Sequence, residues 1–161
     1  YTQGQESIAI GKSAGFSQQG ANAVAIGSAA GGTGQGISSI AIGDDSGTQT
    51  QGQEAIAIGL SAGQLAQGAR SVAVGRQAGW SGQSYDSVAI GSYAGLIHQE
   101  HNSVAIGLNA GRYSQGTVSV AIGKDAGYQN QAIQATAIGV ASGKIDQAIN
   151  AIAIGFTAGN Q

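Results

Sequence analysis

The chain has 161 residues, 29 of them glycine, with no proline, cysteine or methionine; six Lys/Arg against eight Asp/Glu give a formal charge of -2. Only 9% of residues are charged and no basic patch stands out, which argues against nucleic acid or an acidic membrane surface as partner. Zero cysteine excludes a disulfide framework, thiol catalysis and cysteine zinc sites, and no apolar run is long enough to suggest a membrane span or signal peptide in this segment.

In chain order, the first element is Ser7-Ile8-Ala9-Ile10-Gly11, and it returns every sixteen residues through ten copies to Ala151-Ile152-Ala153-Ile154-Gly155. The shared pattern is S/A-V/I-A-I/V-G-x-x-A/S-G-x-x-x-Q-x-x-x, without slip or insertion. Alternation of β-branched residues with Ala predicts a short strand, Val/Ile on one face and Ala/Ser on the other. The first glycine and the two variable residues after it, such as Lys12-Ser13, read as a tight turn. Ala-Gly-x-x-x-Gln is expected to form a second, more irregular strand, and the residues after Gln, often Gly, a second turn. Helix is disfavoured because glycine recurs throughout, each costing about 1 kcal/mol relative to Ala inside a helix.

Two strands and two turns in sixteen residues make one coil of a parallel β-solenoid, so residues 1–161 form a single all-β array of ten coils without an internal boundary. The fourteen charged residues all fall in variable columns, as expected if the fixed columns are buried and the variable ones solvated. Thr136 is the one break in the two aliphatic columns. The glutamines Gln3, Gln19, Gln35, Gln51, Gln67, Gln83, Gln99, Gln115, Gln131 and Gln147 would stack in register, where their amides can hydrogen-bond along the rod as a structural ladder.

Both faces of the first strand are apolar or small. One is expected to be covered by the coil's own second strand and the other by another chain, which makes the protein a homo-oligomer; the competing expectation is a self-sufficient monomeric solenoid with a smooth alanine-lined flank. Tyr1 and Gln161 share a repeat column and neither end reads as a polar capping coil. The absence of Met and of caps points to an internal or processed piece of a longer array, or to end-on stacking.

At its S-V-A-I-G-x-x-A core, as in Ser87-Val88-Ala89-Ile90-Gly91, the sequence resembles the head repeats of YadA-type trimeric autotransporter adhesins. The longer A-I-G-x-x-A-G-x-x-x-Q form is similar to repeats in fibre-like proteins of phages and large viruses. The resemblance covers the whole chain. It implies a left-handed parallel β-roll with three chains side by side, displayed outside a cell or particle for attachment. The chain departs from the adhesin heads in its longer period, which adds the second Gly and the Gln.

No catalytic constellation, cofactor site or metal site is expected. His98-Gln99-Glu100-His101 brings two histidines and a carboxylate together but reads as a solvated turn. Gly31-Gly32-Thr33-Gly34-Gln35-Gly36 lies inside the repeat and opens no helix, so it is not a phosphate loop. Aromatic residues cluster at Trp80, Tyr85, Tyr93, Tyr113 and Tyr128. Trp80, Leu96, Arg112 and Tyr128 share one variable column in four successive coils, which predicts an exposed contact stripe suited to a host-surface protein or a glycan.

The function expected is a structural and adhesive module of an extracellular, cell-surface or virion-surface fibre, and not an enzyme. The alternative is a self-assembling filament or matrix protein with amyloid-like ladders stacked head to tail. An ice-binding solenoid would want one regular column of Thr, and the threonines here are scattered.

Overall fold

A computed structural model describes residues 2–160; Tyr1 and Gln161 lie outside the described residues. Every described strand is three residues long and parallel to its neighbours, and no helix occurs among the described residues. A complete coil contributes a first strand such as Val88–Ile90, a turn through Gly91–Gly95, a second strand such as Ile97–Gln99 and a turn at His101-Asn102. The first strands stack into a ten-stranded sheet from Ile8–Ile10 to Ile152–Ile154. The second strands form an eight-stranded sheet from Ser17–Gln19 to Gln129–Gln131, prolonged by a single bridge from Gln129 to Ile145.

Register is fixed at sixteen residues throughout: Val88 faces Val72 on one side and Val104 on the other, and Gln99 faces Gln83 and Gln115. Hydrogen bonding between coils continues through the turns, as in Gly91 N–H to Val74 O at 2.8 Å and Gly95 N–H to Ala110 O at 2.9 Å. The backbone of each interior coil is thereby satisfied by its neighbours on both sides, as buried peptide groups require. Ten first strands at the ordinary parallel spacing make a β-solenoid about 43 Å long.

Two expectations change. The second strand is shorter than Ala-Gly-x-x-x-Gln suggests, because Ala94 and Gly95 belong to the turn and only Ile97–Gln99 is extended. The fixed columns are also not all interior. The side chains pointing into the coil are small, an Ala from each first strand (as Ala73, Ala89, Ala105) and an Ala or Ser from each turn (as Ala78, Ala94, Ala110, Ser46, Ser142), those named having no exposed surface. No Val or Ile of the two aliphatic columns is buried: Val88 and Ile106 are half-exposed, and Ile90 is 39% exposed. The reason is volume. A coil closed by two three-residue strands leaves room between them for Ala, Ser and one extended amide, so the branched side chains project outward.

The glutamine explains how so thin a core is held. Nε2 of Gln99 donates to the carbonyl of Val88 in the opposite strand of its own coil at 2.8 Å, and to Ser103 O at 3.3 Å. The same bond across the coil recurs from Gln19 to Ile8 through to Gln147 to Thr136. Amide-to-amide bonds between coils, which the in-register column predicts, occur at three steps, Gln51 to Gln67, Gln83 to Gln99 and Gln131 to Gln147, each at 3.2 Å. The column is therefore first a set of struts within coils and only second a ladder. Gln3 precedes the first strand and is exposed.

Two glycines per coil have steric causes. A Cβ on Gly91 would lie 2.6 Å from the carbonyl oxygen of Gly107 in the next coil, and one on Gly95 would lie 2.5 Å from Oε1 of Gln99. The first glycine allows the coils to approach, and the second makes room for the strut. In the turn before the first strand, Ser hydroxyls donate to the carbonyl three residues back, as Ser71 does to Gly68 at 2.6 Å and Ser119 to Gly116 at 2.6 Å.

Candidate functional site

Outside the alanine core the two sheets differ. The first sheet presents two parallel columns of Val and Ile, interrupted only by Thr136, along its whole length. The second sheet presents mostly polar or small residues, among them Gln18, Thr33, Gln49, Ser81, His98, Ser114 and Asn130. One broad face of the rod is thus aliphatic and the other hydrophilic.

Between the sheets, the Gly91–Gly95 type of turn and the residue after it form a flank that carries the aromatic stripe. The structure brings Trp80, Leu96, Arg112 and Tyr128 into successive coils, as a shared column requires, but it corrects the exposure. Leu96 is only 8% exposed, and the other three are half-buried. A medium-sized side chain one coil rise of about 4.8 Å from the larger Trp80 and Arg112 is shielded by them. Trp80 Nε1 donates to Gln64 Oε1 at 2.6 Å, which ties the indole to the coil before it.

Arg112 is the centre of the flank. Its guanidinium carbon lies 4.9 Å from the ring centre of Tyr93, 5.0 Å from that of Tyr113 and 5.7 Å from that of Tyr128. Its Nη1 reaches Asn109 Oδ1 at 3.3 Å and the Tyr128 hydroxyl at 3.4 Å. Tyr113 and Tyr128 meet edge to face at 5.5 Å. Arg76 sits 4.5 Å from the Tyr93 ring centre, and Lys144 Nζ sits 5.8 Å from that of Tyr128. Column reasoning misses Arg76, Tyr93 and Tyr113, because each stands in a column beside the stripe; the aromatic clustering was the only sequence signal for the two tyrosines.

Tyr85 does not join this group. It lies in the other turn and stacks on His101, ring centres 5.0 Å apart and planes 9° apart. His101 Nδ1 lies 3.9 Å from Glu100 Oε2, and no three His, Asp or Glu side chains converge as a metal site would among the described residues. A shallow groove of about 420 Å³ is lined by His98, Glu100, Ser114, Gln115 and Gly116. Ser114 and His98 share a column in adjacent coils there, yet no hydrogen bond joins the hydroxyl to the ring. Gly31–Gly36 resolves into a turn and the strand Thr33–Gln35. On the same turn as Tyr85, Arg70 holds Asp86 through paired bonds of 2.7 and 2.8 Å, and this hydrogen-bonded guanidinium lowers the Asp86 carboxyl below its ordinary range.

No protein-family model and no curated protein matches this chain.

Proposed function

We propose that the chain is a structural and attachment module of a fibre displayed on a cell or virion surface, built as a homo-oligomer whose copies meet through the aliphatic face. The observation that carries this reading is the double column of Val and Ile, interrupted only at Thr136, on one face of a rod whose other face is hydrophilic. Exposed apolar strips that run the length of a protein are rare on monomers and mark interaction surfaces. Its side chains repeat at one coil rise, about 4.8 Å, and a second copy of the chain supplies a surface of the same rise to interdigitate with it. The resemblance of the repeats to trimeric adhesin heads favours three copies.

The half-buried aromatic flank, turned away from the aliphatic columns, is the surface left for a host protein or glycan. Adhesion of fluorescent rods to cultured cells tests this. Replacing Trp80 and Tyr128 by Ser is expected to abolish adhesion while leaving the β-sheet circular dichroism unchanged; undiminished adhesion would refute the assignment of that flank.

A further inference from the structure

Along the flank, five consecutive coils present Arg76, Tyr93, Arg112, Tyr128 and Lys144, cations and rings in alternation, with Arg112, Tyr128 and Lys144 in one column and Arg76 and Tyr93 in two others of the same turn. Each cation faces a ring one coil away, at 4.5 to 5.8 Å from its centre. Arg112 and Lys144 therefore stand two coils apart in one column, about 10 Å, and Arg76 contacts the same Tyr93 ring as Arg112 from another column of the turn.

None of the three forms an ion pair with a carboxylate among the described residues. The one carboxylate on this stretch of the flank, Asp125, accepts a hydrogen bond from Asn109 Nδ2 at 2.8 Å, and Lys124 stands beside it. In a chain of net charge -2, the flank is thus locally cationic. Arg112 Nε is buried without a hydrogen-bond partner, and the rings around it fix the guanidinium before any ligand arrives.

We propose that this ladder binds a linear anionic polysaccharide bearing one carboxylate or sulfate per disaccharide, with successive anions on Arg76, Arg112 and Lys144. The inference rests on the reading of this flank as the attachment surface and names its ligand class. An extended chain of sugar rings places its same-side charges two residues apart, at the two-coil interval of Arg112 and Lys144, with Arg76 beyond Tyr93 to take the next. An acidic peptide does not: same-face side chains of an extended strand recur at about 6.7 Å, out of step with the ladder. Tyrosine edges and hydroxyls between the cations suit sugar hydroxyls and C–H faces. Guanidinium groups suit the planar, bidentate geometry of carboxylate and sulfate oxygens.

The test is calorimetric titration of the assembled protein with size-defined hyaluronate, which carries carboxylates only, and chondroitin sulfate, which carries both anions, with polyglutamate and dextran as comparisons. Saturable binding of at least one polysaccharide is expected, weaker binding of polyglutamate, and none of dextran. Arg112→Gln should weaken the bound polysaccharide at least tenfold, and Arg76→Gln, at an exposed turn position, gives the same direction should the first variant fail to fold. The exchange R112Y/Y128R keeps composition and charge but breaks the two-coil interval, and should also weaken binding about tenfold. Equal affinity for the two polysaccharides assigns the contact to carboxylate, and a preference for chondroitin sulfate assigns it to sulfate. Absence of binding to both, polyglutamate bound as tightly, or affinity unmoved by Arg112→Gln and the exchange would overturn the proposal. Rods that adhere to cells through Trp80 and Tyr128 while ignoring both polysaccharides would overturn it and leave the attachment reading standing.

Discussion

Replacing the central glutamine strut by its acid isolates what the strut contributes. In Gln99→Glu, an oxygen takes the place of Nε2 and faces the carbonyls of Val88 and Ser103, now 2.8 and 3.3 Å from the donor nitrogen. A carboxylate there is buried against two acceptors, so the folded state retains the variant only with the acid protonated, its O–H donating to Val88 O. Burial raises the folded pKa far above the unfolded value of about 4.3. Between the unfolded value and the raised folded one, the folded state binds one proton more than the unfolded state, so stability falls as pH rises. At about 1.4 kcal/mol per pH unit, the cost at pH 7 is about 3.7 kcal/mol, and it disappears below pH 4. Urea unfolding of wild type and variant from pH 3.5 to 7.5 reads this difference directly, since the titration of all other groups is common to both. A stability difference independent of pH would refute the strut as a buried donor.

Three glycine variants separate backbone strain from steric block. Gly91 and Gly155 share φ near 124°, but a Cβ on Gly91 meets the Gly107 carbonyl oxygen at 2.6 Å, whereas one on Gly155 meets nothing closer than 3.9 Å. Gly155→Ala should therefore be tolerated with a lower melting temperature, while Gly91→Ala should prevent cooperative folding. Gly95→Ala, with φ 52° and the Gln99 amide in the way, should fall between them. Val118 is a β-branched residue at φ 56° in a column where Asn22, Asn102 and Asn150 take the same conformation. Val118→Asn should stabilise the fold by about 1 kcal/mol in denaturant unfolding, because asparagine tolerates the left-handed region far better than valine.

Much of the architecture is legible in the chain, because identity at an interval of sixteen sets the register of parallel coils before any residue is placed in three dimensions. Val88-Ala89-Ile90 alternates, so a strand is plain. Alternation has no sign, however, and nothing in it says that Ala89 faces inward and Val88 outward. The usual rule that larger aliphatics fill the core fails here because the cross-section of a sixteen-residue coil is filled by two alanines and the amide of Gln99. The glutamine column suggests a ladder along the rod, since a repeat aligns like with like. Its stronger bond, to Val88 eleven residues earlier, joins unlike columns and leaves no periodic trace. The same limit explains the flank: Trp80, Leu96, Arg112 and Tyr128 fall in one column and are found, but the pairing of Arg112 with Tyr93 and Tyr113 crosses columns. Leu96 is covered by neighbours whose size, not their spacing, decides its exposure.

The aliphatic face as an interface between copies of the chain is what joins the fold to the proposed fibre. Light scattering coupled to size exclusion measures it, on wild type and on a variant with Ile90→Ser and Ile106→Ser, both outward-facing. The wild type is expected to run as a discrete particle of a small whole number of chains, three by the resemblance, and the variant to shift towards the 15.7 kDa single chain with its circular dichroism retained. A folded, monodisperse single chain in the wild type at micromolar concentration would contradict it.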